Sequence, residues 1–209
     1  MQRGRFITIE GGEGAGKSSQ IRRLADALRA KGYEVVATRE PGGSPGAEAI
    51  RELLVNGEAE RWSATTETLL INAARRDHIE RVIEPALASG AWVICDRFHD
   101  STRAYQGAAG GASPAMIAAL EDAVLQGLVP DLTLILDIDP TEGLARAAGR
   151  GGGEGRFEAK GVEFHTRLRQ AFLDIASREP KRCAVIKAAG HFDDVATRIA
   201  TAVASRLAP

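Results

Sequence analysis

The chain has 209 residues, enough for one domain, or two small ones, with a real hydrophobic core. Lys plus Arg number 27 against 28 Asp plus Glu, which argues against a histone-like or polybasic nucleic-acid binder. A hydrophobic fraction of 44% beside 26% charged residues is that of a folded globular protein, and no apolar run reaches the roughly 18 residues a bilayer span needs.

In chain order the pattern alternates strand and helix. Met1 to Arg5 lead straight into the strand Phe6–Glu10, with no signal-peptide pattern, so the expectation is a soluble cytoplasmic protein without a membrane partner. A helix follows over Ser18–Ala30, stopped by Gly32, and then a second strand, Glu34–Thr38. Helices are predicted over Ala47–Val55 and Thr66–Ala88, then a strand over Ala91–Cys95. The long Thr66–Ala88 helix carries an apolar stripe of Ile79, Val82, Ile83 and Ala86, and helical spacing puts Asn72 and Arg75 on that stripe. An arginine aimed inward needs an anion or a hydrogen-bonding partner there. Further on come helix Pro114–Gln126, strand Leu132–Leu136, helices Pro140–Ala148 and Val162–Ser177, strand Ala184–Lys187 and helix Phe192–Arg206. Short apolar strands separated by helices predict a parallel sheet covered on both faces. The expectation is one three-layer, doubly wound α/β domain with a five-stranded parallel sheet. Cys95 and Cys183 read as small strand hydrophobes, since neither stands in a metal-type pair, and the four histidines are scattered. Asp137 and Asp139, at the end of a strand, read as caps of the Pro140 helix.

Gly11-Gly12-Glu13-Gly14-Ala15-Gly16-Lys17-Ser18 fits the phosphate-loop pattern Gly-x4-Gly-Lys-Ser/Thr between a predicted strand and a predicted helix. Glycines let backbone N–H groups curl round phosphates, and the following helix offers its positive end. Lys17 bridges phosphate oxygens, while the Ser18 hydroxyl is suited to magnesium. These residues together with Ser19 are the predicted nucleoside triphosphate site. No Asn-Lys-x-Asp guanine-reading motif is present, and neither Cys95-Asp96-Arg97 nor Leu136-Asp137-Ile138-Asp139 ends in the Asp-Glu of a motor ATPase. Phosphoryl transfer to a small acceptor remains. Asp96 and Arg97 close a parallel strand at its carboxyl end, where open α/β sheets bind ligands. Arg97 can clamp phosphate in a bidentate way or form an ordinary surface salt bridge, and Asp96 is a candidate magnesium or water ligand.

From about Arg5 to the last helix the chain resembles the thymidylate kinase family. The resemblance is carried by Glu10-Gly-Gly-Glu-Gly-Ala-Gly-Lys-Ser18, Thr38-Arg-Glu-Pro-Gly-Gly43, Asn72-Ala-Ala-Arg75, and Asp96-Arg97 followed by Ser101 and Ala104-Tyr-Gln-Gly107. It implies a P-loop kinase fold, ATP with Mg2+ as phosphoryl donor, dTMP as acceptor and a homodimer packed through helices. The long Thr66–Ala88 and Pro114–Gln126 helices are the candidates for that packing. Residue by residue, the resemblance implies that Arg97 spans donor and acceptor phosphates and that Arg75 bonds the thymine edge, with a structural ion pair as the competing role for Arg75. Arg39 and Arg51 become candidates for the acceptor phosphate, with Glu40 holding Arg39. Glu13 would accept the deoxyribose 3′-hydroxyl. Tyr105 would press on the sugar or simply fill the core, and Ser101 and Gln106 would complete the polar contacts. Ala188–Phe192 would cradle adenine.

The arginine-bearing loop Arg146–Arg150–Arg156 reads as a lid at about 146–158 of a single 1–209 domain. With no arginine at the variable phosphate-loop positions, the resemblance implies the lid-arginine subtype: Arg150 first and Arg156 second as the catalytic cation, with Arg146 on the ATP side. One departure stands out. Ile71 occupies the position where the family usually has a Phe stacked on thymine, and an aliphatic side chain forgoes an offset-stacking preference of ~0.5–1.5 kcal/mol. Phe98 is the aromatic that could reach the base instead. The rivals left open are another small-molecule kinase of the same fold and a P-loop switch ATPase.

Overall fold

The computed structural model describes residues 3–58, 60–149 and 160–207. Five strands, β1 (Phe6–Glu10), β2 (Val35–Arg39), β3 (Trp92–Asp96), β4 (Leu132–Asp137) and β5 (Cys183–Lys187), pair in parallel in the order β2-β3-β1-β4-β5. The three inner strands are almost wholly buried and the two edge strands only partly so. This is why the inner ones read as unbroken apolar runs rather than alternating patterns. From β1 the chain crosses over β3 to reach β2, and from β3 it crosses over β1 to reach β4. The crevice at the carboxyl ends of β1 and β3 is therefore the point where the winding reverses, the usual ligand position in such sheets.

The pleat divides the core. Ile7, Ile9, Ile94, Leu134 and Leu136 face the layer formed by α1 (Lys17–Arg29) and the last helix, α9 (Phe192–Leu207). Phe6, Val93 and Cys95 face the opposite layer, against Ile79, Ile83 and Phe98. On that same side Ile135 meets Phe164, Leu168 and Phe172 of α8 (Gly161–Arg178). Cys95 and Cys183 are buried thiols raised in pKa by desolvation, as small strand hydrophobes should be.

Two predicted features take a different form. The expected Thr66–Ala88 helix is α3 (Ala64–His78), a π-helical turn (Ile79–Ile83) and a short α4 (Glu84–Ala88). Pro85 lacks an N–H and its ring crowds the carbonyl four residues earlier, and the wider turn lies immediately before it. The segment after Asp96-Arg97, given no element in the sequence reading, forms α5 (His99–Thr102) and a second π-helical turn (Arg103–Ala108). The remaining helices are α2 (Pro45–Val55), α6 (Pro114–Leu125) and α7 (Pro140–Ala148). Asp139 caps α7 through Thr141 N–H at 2.9 Å, but Asp137 does not share that role. Its carboxylate is held by both Nε and Nη2 of Arg169 on α8, at 2.6 and 3.0 Å.

Candidate active site

The phosphate loop bends from β1 into α1 along backbone that side chains resist. Gly14 has φ 69°, and a Cβ there would lie 1.9 Å from the carbonyl oxygen of Gly143, so only glycine lets the loop rest on α7. Lys17 folds back to donate to the Gly11 and Gly12 carbonyls at 3.0 and 2.9 Å, which parks its ammonium inside the loop. Burial lowers its pKa, and the neighbouring Arg97 guanidinium lowers it further. The Ser18 hydroxyl donates to Asp96 Oδ2 at 2.9 Å. Asp96 Oδ1 is buried with no hydrogen-bond partner among the described residues. An open carboxylate oxygen beside a serine hydroxyl is a hard oxygen donor set, which fits Mg2+.

Arg97 reaches across from the turn after β3. Its backbone is left-handed (φ 69°), uncommon for a residue with a side chain and typical of constrained sites. Nη1 donates to Gly11 O at 3.1 Å and to Ser101 Oγ at 3.3 Å, Nη2 donates to Glu13 Oε1 at 2.9 Å, and the guanidinium lies 4.7 Å from the Tyr105 ring centre. Tyr105 OH donates to the same Glu13 oxygen at 2.8 Å. Burial alone would raise the Glu13 pKa, but Arg97, Lys17 and the Tyr105 hydroxyl outweigh it and bring the group to about 2. Tyr105 takes the core-packing role considered for it and also borders the pocket. Its hydroxyl faces Glu13 while its ring packs edge-on against Phe172.

Beside this cluster opens a pocket walled by Ile71, Arg75, Phe98, Tyr105 and Gln106, with Pro41 at its rim. Arg75 is 2% exposed and heavily engaged by the protein: Nε donates to Glu40 Oε2 at 2.7 Å, Nη1 to Thr102 Oγ1 at 3.1 Å and Nη2 to the Phe98 carbonyl at 3.1 Å. The structure thus gives Arg75 the buried ion pair weighed for it and also puts it in the pocket wall. Glu40 does not hold Arg39. It is taken by Arg75 and by His78 Nδ1 at 3.1 Å, because it points inward from β2 while Arg39 points out and pairs with Glu48 at 3.0 Å. Glu40, His78 and Cys95 approach one another closely, but Arg75 beside Glu40 and Thr38 on His78 Nε2 make this a hydrogen-bonded cluster unsuited to a cation. Arg51 donates to Pro41 O at 2.7 Å, so it braces the pocket rim. Gln106 donates to the buried Glu67 at 2.8 Å. Phe98 lines the pocket but is itself wholly buried, edge-on to Phe6, so its ring stays a wall of the core.

On the donor side Ala15 is buried and Ser19 half-buried, and Arg146 donates to the carbonyl of Ala188 in the segment expected near adenine. Arg150 and Arg156 lie outside the described residues. Glu10, Pro41, Thr102 and Glu67 were absent from the expected site. Glu10 had a visible signal, an acidic residue ending a strand otherwise wholly apolar or threonine.

A phosphate loop, a facing arginine and an adjoining pocket at one sheet crevice are the layout of a P-loop phosphotransferase of the nucleoside monophosphate kinase type. The family model described as thymidylate kinase matches residues 9–199. The chain is 65% identical to a thymidylate kinase from Caulobacter vibrioides over 99% of each chain, and 53% identical to one from Ruegeria pomeroyi over 98% of this chain and 96% of that one. A crystal structure of thymidylate kinase from Ehrlichia chaffeensis superposes with a TM-score of 0.79 at 34% identity, covering 96% of this chain and 99% of the other. The chain belongs to the thymidylate kinase family.

Proposed function

We propose that this chain transfers the γ-phosphate of ATP to dTMP, giving dTDP and ADP on the way to dTTP. The observation that carries the reading is Arg97, which touches the phosphate loop at Gly11 and the acceptor pocket at Glu13 and Tyr105 from one backbone turn. A cation in that position can hold both phosphates in line, and phosphoryl transfer depends mainly on such positioning and charge. Lys17 exchanges its two loop carbonyls for phosphate oxygens. Glu13, ionised at neutral pH, accepts the sugar 3′-hydroxyl, and Tyr105 presses on the sugar. Ser18 and Asp96 would hold Mg2+, whose positive charge would offset that of the phosphates. Ile71, Arg75, Ser101 and Gln106 face the base, with Arg39 and Arg51 at the phosphate end. No strong base is required, since a monophosphate is already ionised at neutral pH.

The same proposal takes 1–209 as one domain with a lid at 146–158, whose Arg150 and Arg156 supply further cations. It also includes a homodimer in the cytoplasm, packed through the α3–α4 and α6 helices. Leu69 on α3 is exposed and available to such packing. No described helix is long and apolar enough to cross a membrane. ADP release with ATP and magnesium, measured with dTMP, dUMP, dCMP, dGMP, AMP or no acceptor, tests the function. Turnover dependent on dTMP is expected. Turnover with another acceptor would reassign the base pocket, and hydrolysis indifferent to every acceptor would overturn the kinase.

A further inference from the structure

Glu10 is the last residue of β1 and is wholly buried. A carboxyl group in that position costs free energy unless it is bonded, and this one is bonded entirely to the turn that presents Arg97. Its Oε1 accepts the Phe98 N–H at 2.7 Å and its Oε2 accepts the Ser101 hydroxyl at 2.5 Å. Ser101, its proton committed to Glu10, turns an oxygen lone pair to Arg97 Nη1 at 3.3 Å. From the other direction Arg97 N–H bonds the carbonyl of Ile9, and Arg97 Nη1 bonds the carbonyl of Gly11. Residues 9, 10 and 11 therefore grip residues 97, 98 and 101 from three sides, and the left-handed backbone of Arg97 lies within that grip.

We propose, building on the reading above, that Glu10 is a positioning residue: its carboxyl clamps the Asp96–Ser101 turn to the end of β1 and so aims the Arg97 guanidinium at the phosphates. Because Glu10 is joined directly to Gly11, the clamp ties the acceptor cation to the donor loop through one side chain. Burial, with the nearby Asp100 carboxylate adding to it, raises the Glu10 pKa to about 8. An uncharged glutamine amide keeps the Phe98 N–H bond through its oxygen and keeps the link to Ser101 with the direction reversed, its NH2 donating to the second lone pair of Ser101 Oγ.

A double-mutant cycle tests the clamp, read as the dissociation constant for dTMP by calorimetry on the full chain. In the wild-type background Glu10→Ala should weaken binding by about tenfold or more, and Glu10→Gln should stay within about twofold. In an Arg97→Ala background Glu10→Ala should cost less than about twofold, since the group it aims is gone. Glu10→Asp, too short to span both partners, gives the same cycle should the alanine variant fail to fold. Equal losses in both backgrounds would overturn the proposal, as would a glutamine variant as weak as the alanine one. The acceptor panel decides the base separately. If another monophosphate proves to be the acceptor, it replaces dTMP as the probe and the cycle is read unchanged.

Discussion

Glu13→Gln isolates the electrostatics of the phosphate loop. Glu13 ordinarily titrates at 4.5 and is brought to about 2 in the folded chain, against the upward pull of burial, by Arg97, Lys17 and Tyr105. A depressed carboxylate pKa contributes stability above its unfolded value and loses it as pH falls through the folded one. A shift from 4.5 to about 2 corresponds to about 3.4 kcal/mol at pH 7. Linkage leaves about 2.0 kcal/mol at pH 3.5, so about 1.4 kcal/mol disappears between those two values. Glutamine keeps an oxygen for Arg97 and Tyr105 but carries no charge and cannot titrate. In urea unfolding at steps from pH 7 to 3.5, wild type should exceed Glu13→Gln by about 2–3 kcal/mol at neutrality, with the gap narrowing by about 1.4 kcal/mol toward pH 3.5. A gap that stays constant with pH, or its absence at pH 7, would refute the picture of a carboxylate held ionised by two facing cations.

Ile71→Phe, which restores a ring on the acceptor-pocket wall, should lower the dTMP Michaelis constant about two- to tenfold through stacking worth ~0.5–1.5 kcal/mol and should shift the dTMP/dUMP ratio. Steady-state kinetics with both nucleotides check it, and unchanged values would remove Ile71 from base recognition. Arg75→Ala leaves Glu40 buried without its guanidinium partner and should cost about 3–5 kcal/mol in chemical denaturation, whereas a loss below about 1 kcal/mol would show that His78 alone suffices. Asp96→Asn keeps an acceptor for Ser18 but removes the charge, so the magnesium concentration giving half-maximal turnover should rise about tenfold or more. An unchanged magnesium dependence would take Asp96 out of the metal site.

The sheet was legible almost residue for residue because its inner strands are buried on both faces, and burial on both faces leaves an apolar run between glycine-rich turns. Asn72 and Arg75 could be projected onto the inward face of α3 for the same reason, since periodicity fixes direction even for a charged side chain. The far wall of the acceptor pocket was less legible. Ser101 to Gly107 mixes polar, aromatic and small residues without a 3.6 period, because a π-helical turn shifts the spacing within the segment. Its residues were found by their likeness to a motif, and their element was not. Partners were less legible still. Glu40 was expected on its neighbour Arg39 and instead reaches Arg75, 35 positions along, a pairing that exists only where α3 folds back beside the end of β2. Glu10 was read as part of a strand and a motif, and nothing in its sequence surroundings announces Phe98 or Ser101 as its partners.

The wide turn over Arg103–Ala108 makes this segment intolerant of changes in length. Ala109 N–H reaches back five residues to Ala104 O at 3.0 Å, one more than an α-helix would span. Removing one residue there would let an ordinary helix form with every local hydrogen bond intact, yet each side chain beyond the cut would swing by about 100° about the axis. Tyr105 and Gln106 could no longer share a wall with Arg103 tied on the far side to Glu121 and Glu179. Point substitutions along this stretch can be graded in strength, but a deletion is all or nothing. Libraries that vary loop length around the acceptor pocket should place their insertions elsewhere.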